Sequence, residues 1–195
     1  MDTQILNRHQ RNRLRTRQQL QAALLEMTLE KGFENVSIQD ITDRADLARA
    51  TFYLHARDKD DLLWSLIEDK IHQTEQEIAR GFTGLPPQAE YYGYRNIFTH
   101  VERNQDIYRV ILGNKGSTEM LHRVHKYMVA ETLRDMANFQ LYSDLNLPPE
   151  IAAQLVIGAL LSLATWWLET PNDYTAQQLA ALLYQTLHHR QPPES

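Results

Sequence analysis

Two short apolar-periodic segments separated by only three residues constrain this chain more than any other feature. Ser37 to Ala45 and Arg49 to His55 each make about two helical turns, and Asp46-Leu47-Ala48 leaves room only for a tight connection. A longer segment precedes them. Leu20, Ala23, Leu24, Met27 and Thr28 recur at helical spacing between Thr16 and Lys31, and Gly32 supplies a C-terminal stop. Ser37 and Asp40 stand at capping-box spacing, where hydroxyl and carboxylate satisfy free amides at the start of the next helix. Ile38, Ile41, Ala45, Leu47, Phe52 and Leu62 then form a small core that fixes the angle between the short helices. Arg49, Thr51, Tyr53 and His55 are left outside.

The rest of the chain is also helical in pattern, without sustained alternation or a hairpin signal. Asp60 to Arg80 carries Leu63, Ile67, Ile71 and Ile78 near one face and stops at Gly81, Gly84 and Pro86-Pro87. Further helices are expected over Gln88 to Asn104, Asp106 to Leu112, Ser117 to Leu141, Pro149 to Leu168 and Thr175 to His189. The expected fold class is therefore all-α, with about nine helices.

Composition narrows the function classes. With 195 residues, 43% of them hydrophobic, the chain can build a sizeable core, and the absence of cysteine excludes disulfides and Cys-based zinc sites. No signal-peptide pattern precedes the basic residues of the N-terminus, so a cytoplasmic protein is expected. Ile151 to Leu168 approaches the length of a membrane span, but Gln154, Ser162 and Thr165 interrupt it and Glu150 and Glu169 flank it; a buried helix is the expectation. The formal net charge is -5, yet Arg8, Arg11, Arg13, Arg15 and Arg17 face only Asp2 in the first 25 residues. A basic arm on an acidic body suggests a localised contact with phosphate.

Two short helices joined by a three-residue turn and supported by a longer one describe a helix-turn-helix, whose second short helix enters the major groove of duplex DNA. Arg49 at its start can offer a bidentate fork to guanine, and Ala50 can touch a thymine methyl. Gly32-Phe33, Val36 to Ile41, Ala45, Ala50 to Tyr53, His55 and Asp58 to Leu63 resemble, at the usual spacing, the N-terminal pattern of the TetR family of bacterial transcriptional regulators. The resemblance covers about the first third of the chain. It implies phosphate contacts from Ser37, Thr51, Tyr53, His55 and Lys59, and base contacts from Gln39, Arg49 and Ala50, with Tyr53 able to make both. It also implies a DNA-binding domain over residues 1–59 and an effector-binding and dimerisation domain over residues 60–195. Three positions depart from the pattern: Asp46 stands where a turn glycine is common, Ala48 where serine often caps the recognition helix, and Ala56 where a bulky apolar residue is frequent.

The last two helices carry the association surface expected for a homodimer. Gly158, Ser162 and Thr165 form a small-residue stripe, and Leu155, Ala159, Leu179, Leu183 and Leu187 add apolar area. Among the many aromatics of the middle helices, Tyr94, Phe98, Tyr127, Met128 and Trp166 are the candidates for lining a pocket for a small, partly apolar effector. His122 and His125 lie one turn apart without a third ligand at metal-binding spacing, so no metal or other cofactor is expected, and His188-His189 are expected at the surface.

The sequence thus points to a ligand-responsive repressor that binds a palindromic operator as a dimer. The alternatives are a DNA-binding regulator controlled by a protein partner or lacking small-molecule control, and a helical enzyme. The enzyme reading lacks a Ser-His-Asp pattern, a phosphate loop or motif-placed paired carboxylates.

Overall fold

A computed structural model describes residues 7–81 and 88–193, with side chains described over the same ranges except 74–81. Among the described residues there are nine α-helices, two short 3-10 turns and no strand, in two compact units that divide between His72 and Gln73. Ile78, expected on the apolar face of the fourth helix, lies outside the described side chains.

The first unit holds α1 (Arg8–Lys31), α2 (Ile38–Arg44), α3 (Arg49–Tyr53) and the first part of α4 (Lys59–Gly81). α1 begins two turns earlier than its apolar periodicity suggests. Asn7 caps it through a reciprocal capping box with Gln10, and the Arg, Gln and Leu residues that follow are good helix formers. The chain leaves α1 at Gly32, whose φ of 83° favours glycine. Ser37 caps α2 as expected: its hydroxyl accepts from the Asp40 amide at 3.1 Å while the Asp40 carboxylate accepts from the Ser37 amide at 2.8 Å. Leu20, Leu24, Phe33, Ile41, Phe52, Leu62 and Leu63 make a closed core.

Polar clamps set α1 against its neighbours. Arg44 on α2 forks onto Glu30 at 2.8 and 2.9 Å and reaches Glu26 at 3.0 Å. Arg17 donates twice to Asp69 on α4, and buried Gln21 donates to both Ser65 and Asp69 at 3.0 Å. Lys31, which donates to the Asp40 carboxylate, together with the Ser37 hydroxyl and amide, holds that carboxyl well below the usual range.

The second unit packs α5 (Ala89–Arg103) on α9 (Ala176–His188), and sets α8 (Pro149–Glu169) against both α6 (Gln105–Leu112) and α7 (Thr118–Phe139). Ala152, Ala153, Val156, Ile157, Leu160 and Ala164 form the buried face of α8. That helix is long and apolar enough to cross a membrane by length and composition, but these residues face the helices of its own unit. The turn after α6 depends on glycine, because a side chain at Gly113 would collide with the Arg109 carbonyl and one at Gly116 with the Val110 carbonyl.

Candidate functional site

The geometry of α3 follows from two local solutions at the departures noted in the sequence. Asp46 takes the left-handed conformation, φ 54°, that a turn glycine would otherwise supply. The Leu47 amide then closes on the Thr42 carbonyl at 2.9 Å and the chain enters α3 at Arg49, after the three residues 46–48. Ala48 offers no side-chain cap, which costs about 1 kcal/mol relative to serine. α3 is short, ending at Tyr53 rather than His55. Phe52 anchors it, fully buried, with the Tyr53 ring edge-on at 5.6 Å. Ala56, the third departure, is 5% exposed, so its small side chain closes the core behind α3.

The opposite side of α3 is open. Arg49 and Ala50 are exposed and Tyr53 is 51% exposed, with the Arg49 guanidinium 3.4 Å from the Tyr53 hydroxyl. Leu54, absent from the expected contacts, is 70% exposed. Its signal was its position four residues after Ala50, on the same helical side. Thr51 is half-buried at the edge of this face. His55, also half-buried, has a pKa lowered first by burial and then by the charges of Arg13 and Arg17. Gln39 on α2 is exposed and donates to Asp43 at 2.6 Å, while the Ser37 hydroxyl donates to Asp40 at 2.5 Å.

Lys59 is placed differently from the other expected contacts. Its ammonium donates to the carbonyls of Phe33, Val36 and Glu34 at 2.7, 3.2 and 3.3 Å, so it ties the start of α4 to the α1–α2 connection.

The five expected effector residues differ widely in burial. Tyr94 and Phe98 are fully buried in α5, Tyr127 and Met128 are half-buried on α7, and Trp166 is 40% exposed with Tyr174 beside it at 5.9 Å. Phe98 meets Trp167 edge-on at 6.0 Å. Tyr94 joins a buried polar cluster: its hydroxyl lies 3.1 Å from Nε2 of His188, whose Nδ1 lies 2.9 Å from the Asp144 carboxylate. His188 was expected at the surface and is instead 6% exposed, because the buried face of α9 runs through Ala180, Tyr184 and His188, at four-residue spacing; His189 is exposed. Open clefts lie elsewhere in the second unit. One, of about 450 Å³, lies between Glu102, Gln105 and Arg109 and the α8–α9 connection, and another involves Tyr91 and Gln178; neither contains any of the five.

The expected association residues also separate. Leu155 is 48% exposed, Ser162 is exposed, and Gly158, Ala159 and Thr165 are half-buried along the outer side of α8. Leu179 and Leu183 belong instead to the buried face of α9, the side on which Tyr184 meets Tyr91 of α5, and Leu187 is half-buried. The apolar residues that α8 and α9 leave open are Ile151, Leu155, Trp166 and Leu182. His122 is exposed and His125 half-buried on α7.

A buried-anchor helix whose outer side offers an arginine fork, a methyl and a phenol, set by a tight turn behind a capped helix, defines a DNA-binding transcriptional regulator of the helix-turn-helix type. Residues 20–66 match the family model described as bacterial regulatory proteins, tetR family, and residues 91–189 match a transcriptional regulator C-terminal region. The chain belongs to the TetR family of bacterial transcriptional regulators.

Among curated proteins it is 41% identical over 182 residues to the uncharacterized HTH-type transcriptional regulator YxbF of Bacillus subtilis, a match spanning 89% of this chain and 45% of that protein. The chain thus spans less than half of that relative. Solved structures share the fold. A protein described as a TetR-family transcriptional regulator from Syntrophomonas wolfei superposes with a TM-score of 0.75 at 19% identity, covering 89% of this chain and 93% of that one. NalD of Pseudomonas aeruginosa, the secondary repressor of the MexAB-OprM multidrug efflux pump, gives 0.71 at 18% identity over 91% and 96%. FadR of Bacillus subtilis, in complex with stearoyl-CoA, gives 0.66 at 19% identity over 87% and 96%.

Proposed function

We propose that the protein is a cytoplasmic repressor that binds a palindromic operator as a homodimer and leaves it when a small, partly apolar effector binds. In this reading residues 1–59 recognise DNA and residues 60–195 bind the effector and the second copy. The observation that carries it is the outward presentation of Arg49, Ala50 and Tyr53 on a helix anchored by Phe52. Arg49 reads a guanine, Ala50 a thymine methyl, and Thr51, Tyr53, His55 and Ser37 hold the register on phosphates. Gln39 reaches a base edge by exchanging its bond to Asp43 for one to DNA.

Two copies are needed because one short helix covers only a half-site, and half-sites recur at about 34 to 36 Å. The outer side of α8 supports an isologous pairing. A Cβ built at Gly158 meets nothing within 4 Å, so no packing inside the protomer calls for a glycine there, and a second helix can approach closely. NalD, described as a repressor, supports repression, and the stearoyl-CoA complex of FadR supports effector control.

A second reading has its own observation. Since Tyr94 and Phe98 are fully buried, while Trp166 is 40% exposed, control by a protein partner is the alternative.

Gel-shift titration of the purified protein on the promoter region beside its own gene tests the proposal. The expected result is a retarded complex containing two protomers, released by an apolar compound from a panel of acyl and aromatic molecules. No complex at low salt would refute DNA recognition, and a complex that no compound releases would favour the partner-controlled regulator.

A further inference from the structure

At one corner of the second unit two helices end and a third begins around an open cleft of about 450 Å³, a size that small-molecule sites commonly have. α5 ends at Arg103 and α8 at Glu169, and α6 starts at Gln105. Helical spacing brings the lining side chains there. Phe98 meets the Trp167 ring edge-on at 6.0 Å, and Glu102, one turn further along the same side of α5, lines the cleft together with Trp167. The far wall is held in place by its own hydrogen bonds. Asn172 donates to the carbonyls of Trp167 and Thr170 at 3.1 and 2.6 Å and accepts from the Tyr174 amide at 3.1 Å, while the Trp167 indole donates to the Tyr174 carbonyl at 2.9 Å. Glu169 accepts from the Asn114 amide at 3.0 Å, which ties this wall to the turn after α6.

We propose that this cleft binds an organic cation, a protonated amine or amidine carried on a flat apolar body. The charges decide the sign. Two carboxylates, Glu102 and Glu169, line the cleft against one guanidinium, and that guanidinium is already engaged: Arg109 donates to Gln105 at 3.0 Å and lies 3.6 Å from Asp106, both on its own helix. Glu102 is exposed and has no ion pair among the described residues, so its oxygens are available to a ligand. The helix ends act in the same direction. The carbonyl ends of α5 and α8 carry partial negative charge to the cleft, against the single amide end of α6. Trp167, half-buried, and Tyr174, 46% exposed, supply the apolar wall, and such rings attract a cation to their faces. An amidinium suits Glu102 especially, because its parallel N–H groups can pair with both carboxylate oxygens. An aromatic acid of the same size would meet Glu102 as a like charge and find Arg109 committed elsewhere.

The inference gives the effector of the preceding reading a charge and a place, rests on that reading to this extent, and is tested apart from it. The full chain, isotopically labelled at nitrogen, is titrated with benzamidine, benzamide and benzoate, which share one flat ring and differ in charge. Binding is read from the indole N–H resonance of Trp167, assigned with Trp167→Phe. The expected result is a saturable shift with benzamidine alone, its affinity falling about tenfold or more in Glu102→Gln, the loss expected when a hydrogen bond to a charged group becomes a neutral one. Glu119→Gln, an exposed change outside the cleft, should leave the affinity as it was. If benzamide or benzoate moves the resonance as strongly as benzamidine, or if Glu102→Gln binds benzamidine as tightly as the wild type, the inference is overturned. No shift with benzamidine, alongside release of the operator by another apolar compound, would overturn it too and leave effector control standing. A cleft that binds benzamidine in a protein whose operator complex no compound releases would keep the site and refute effector control.

Discussion

The ammonium of Lys59 lies 4.4 Å from the centroid of the Phe33 ring and donates to the Phe33 carbonyl at 2.7 Å. Two more carbonyls, of Val36 and Glu34, complete the set that its three protons can serve. Replacing Lys59 by alanine removes all three bonds, leaving the Phe33 carbonyl only the Val36 amide at 3.1 Å, and charge-assisted bonds of this kind are worth about 2 kcal/mol net. Thermal unfolding of Lys59→Ala is therefore expected to fall by several degrees without DNA present. A residue whose only role was to touch phosphate would leave the melting temperature unchanged and alter DNA affinity alone.

How much of this was legible from sequence depended on how local the controlling interaction is. The capping box at Ser37, the stop at Gly32 and the anchor at Phe52 act within a few residues of themselves, and helix periodicity extended their logic to the nine helices among the described residues. The start of α1 was misplaced because periodicity marks only where a helix is buried, and residues 8–15 bury nothing. Lys59, Leu179 and His188 illustrate the other limit. Which partner a long side chain finds, and which side of an apolar helix turns inward, is decided by elements distant in sequence: Phe33 for Lys59, α5 for the face holding Leu179, Asp144 and Tyr94 for His188.

His55 gives the DNA contact a pH dependence with a definite sign. Burial, followed by Arg13 and Arg17, lowers its pKa in the free protein, so the neutral imidazole is favoured. In the folded protein alone this costs stability as pH falls below the ordinary histidine value and through the lowered one. A phosphate placed against His55 favours the imidazolium instead, and binding then takes up a proton. Operator affinity at constant ionic strength is expected to rise as pH falls from about 7.5 to about 6, and His55→Gln should flatten that profile. Fluorescence anisotropy across the range measures it; an unchanged profile in the variant would remove His55 from the phosphate contacts.

The open side of α8 predicts how association can be broken without unfolding the protomer. Since Gly158 has free space beyond it and Leu155 is 48% exposed, Gly158→Leu and Leu155→Arg should leave circular dichroism unchanged and shift sedimentation from dimer to monomer. Dimers that persist in both variants would place the interface elsewhere.

At the far end of α9, His188 holds the α7–α8 connection through Asp144, and its side chain is only 1% exposed. Truncation to alanine removes the closest partner of a carboxylate that is itself 18% exposed, leaving Arg190 at 3.8 Å. Losing a hydrogen bond to a carboxylate costs about 2 kcal/mol, against less than about 0.5 kcal/mol for an exposed histidine. Chemical denaturation of His188→Ala separates the two values.

The central claim is that α3 presents Arg49 to the edge of a base. Competition binding of wild type and Arg49→Ala against the operator and against the same operator with its contacted guanine replaced tests it most directly. The wild type should lose about 1–3 kcal/mol on the base change, and Arg49→Ala should bind both sequences equally. If Arg49→Ala retained the full discrimination at every base pair of the half-site, the claim would be contradicted.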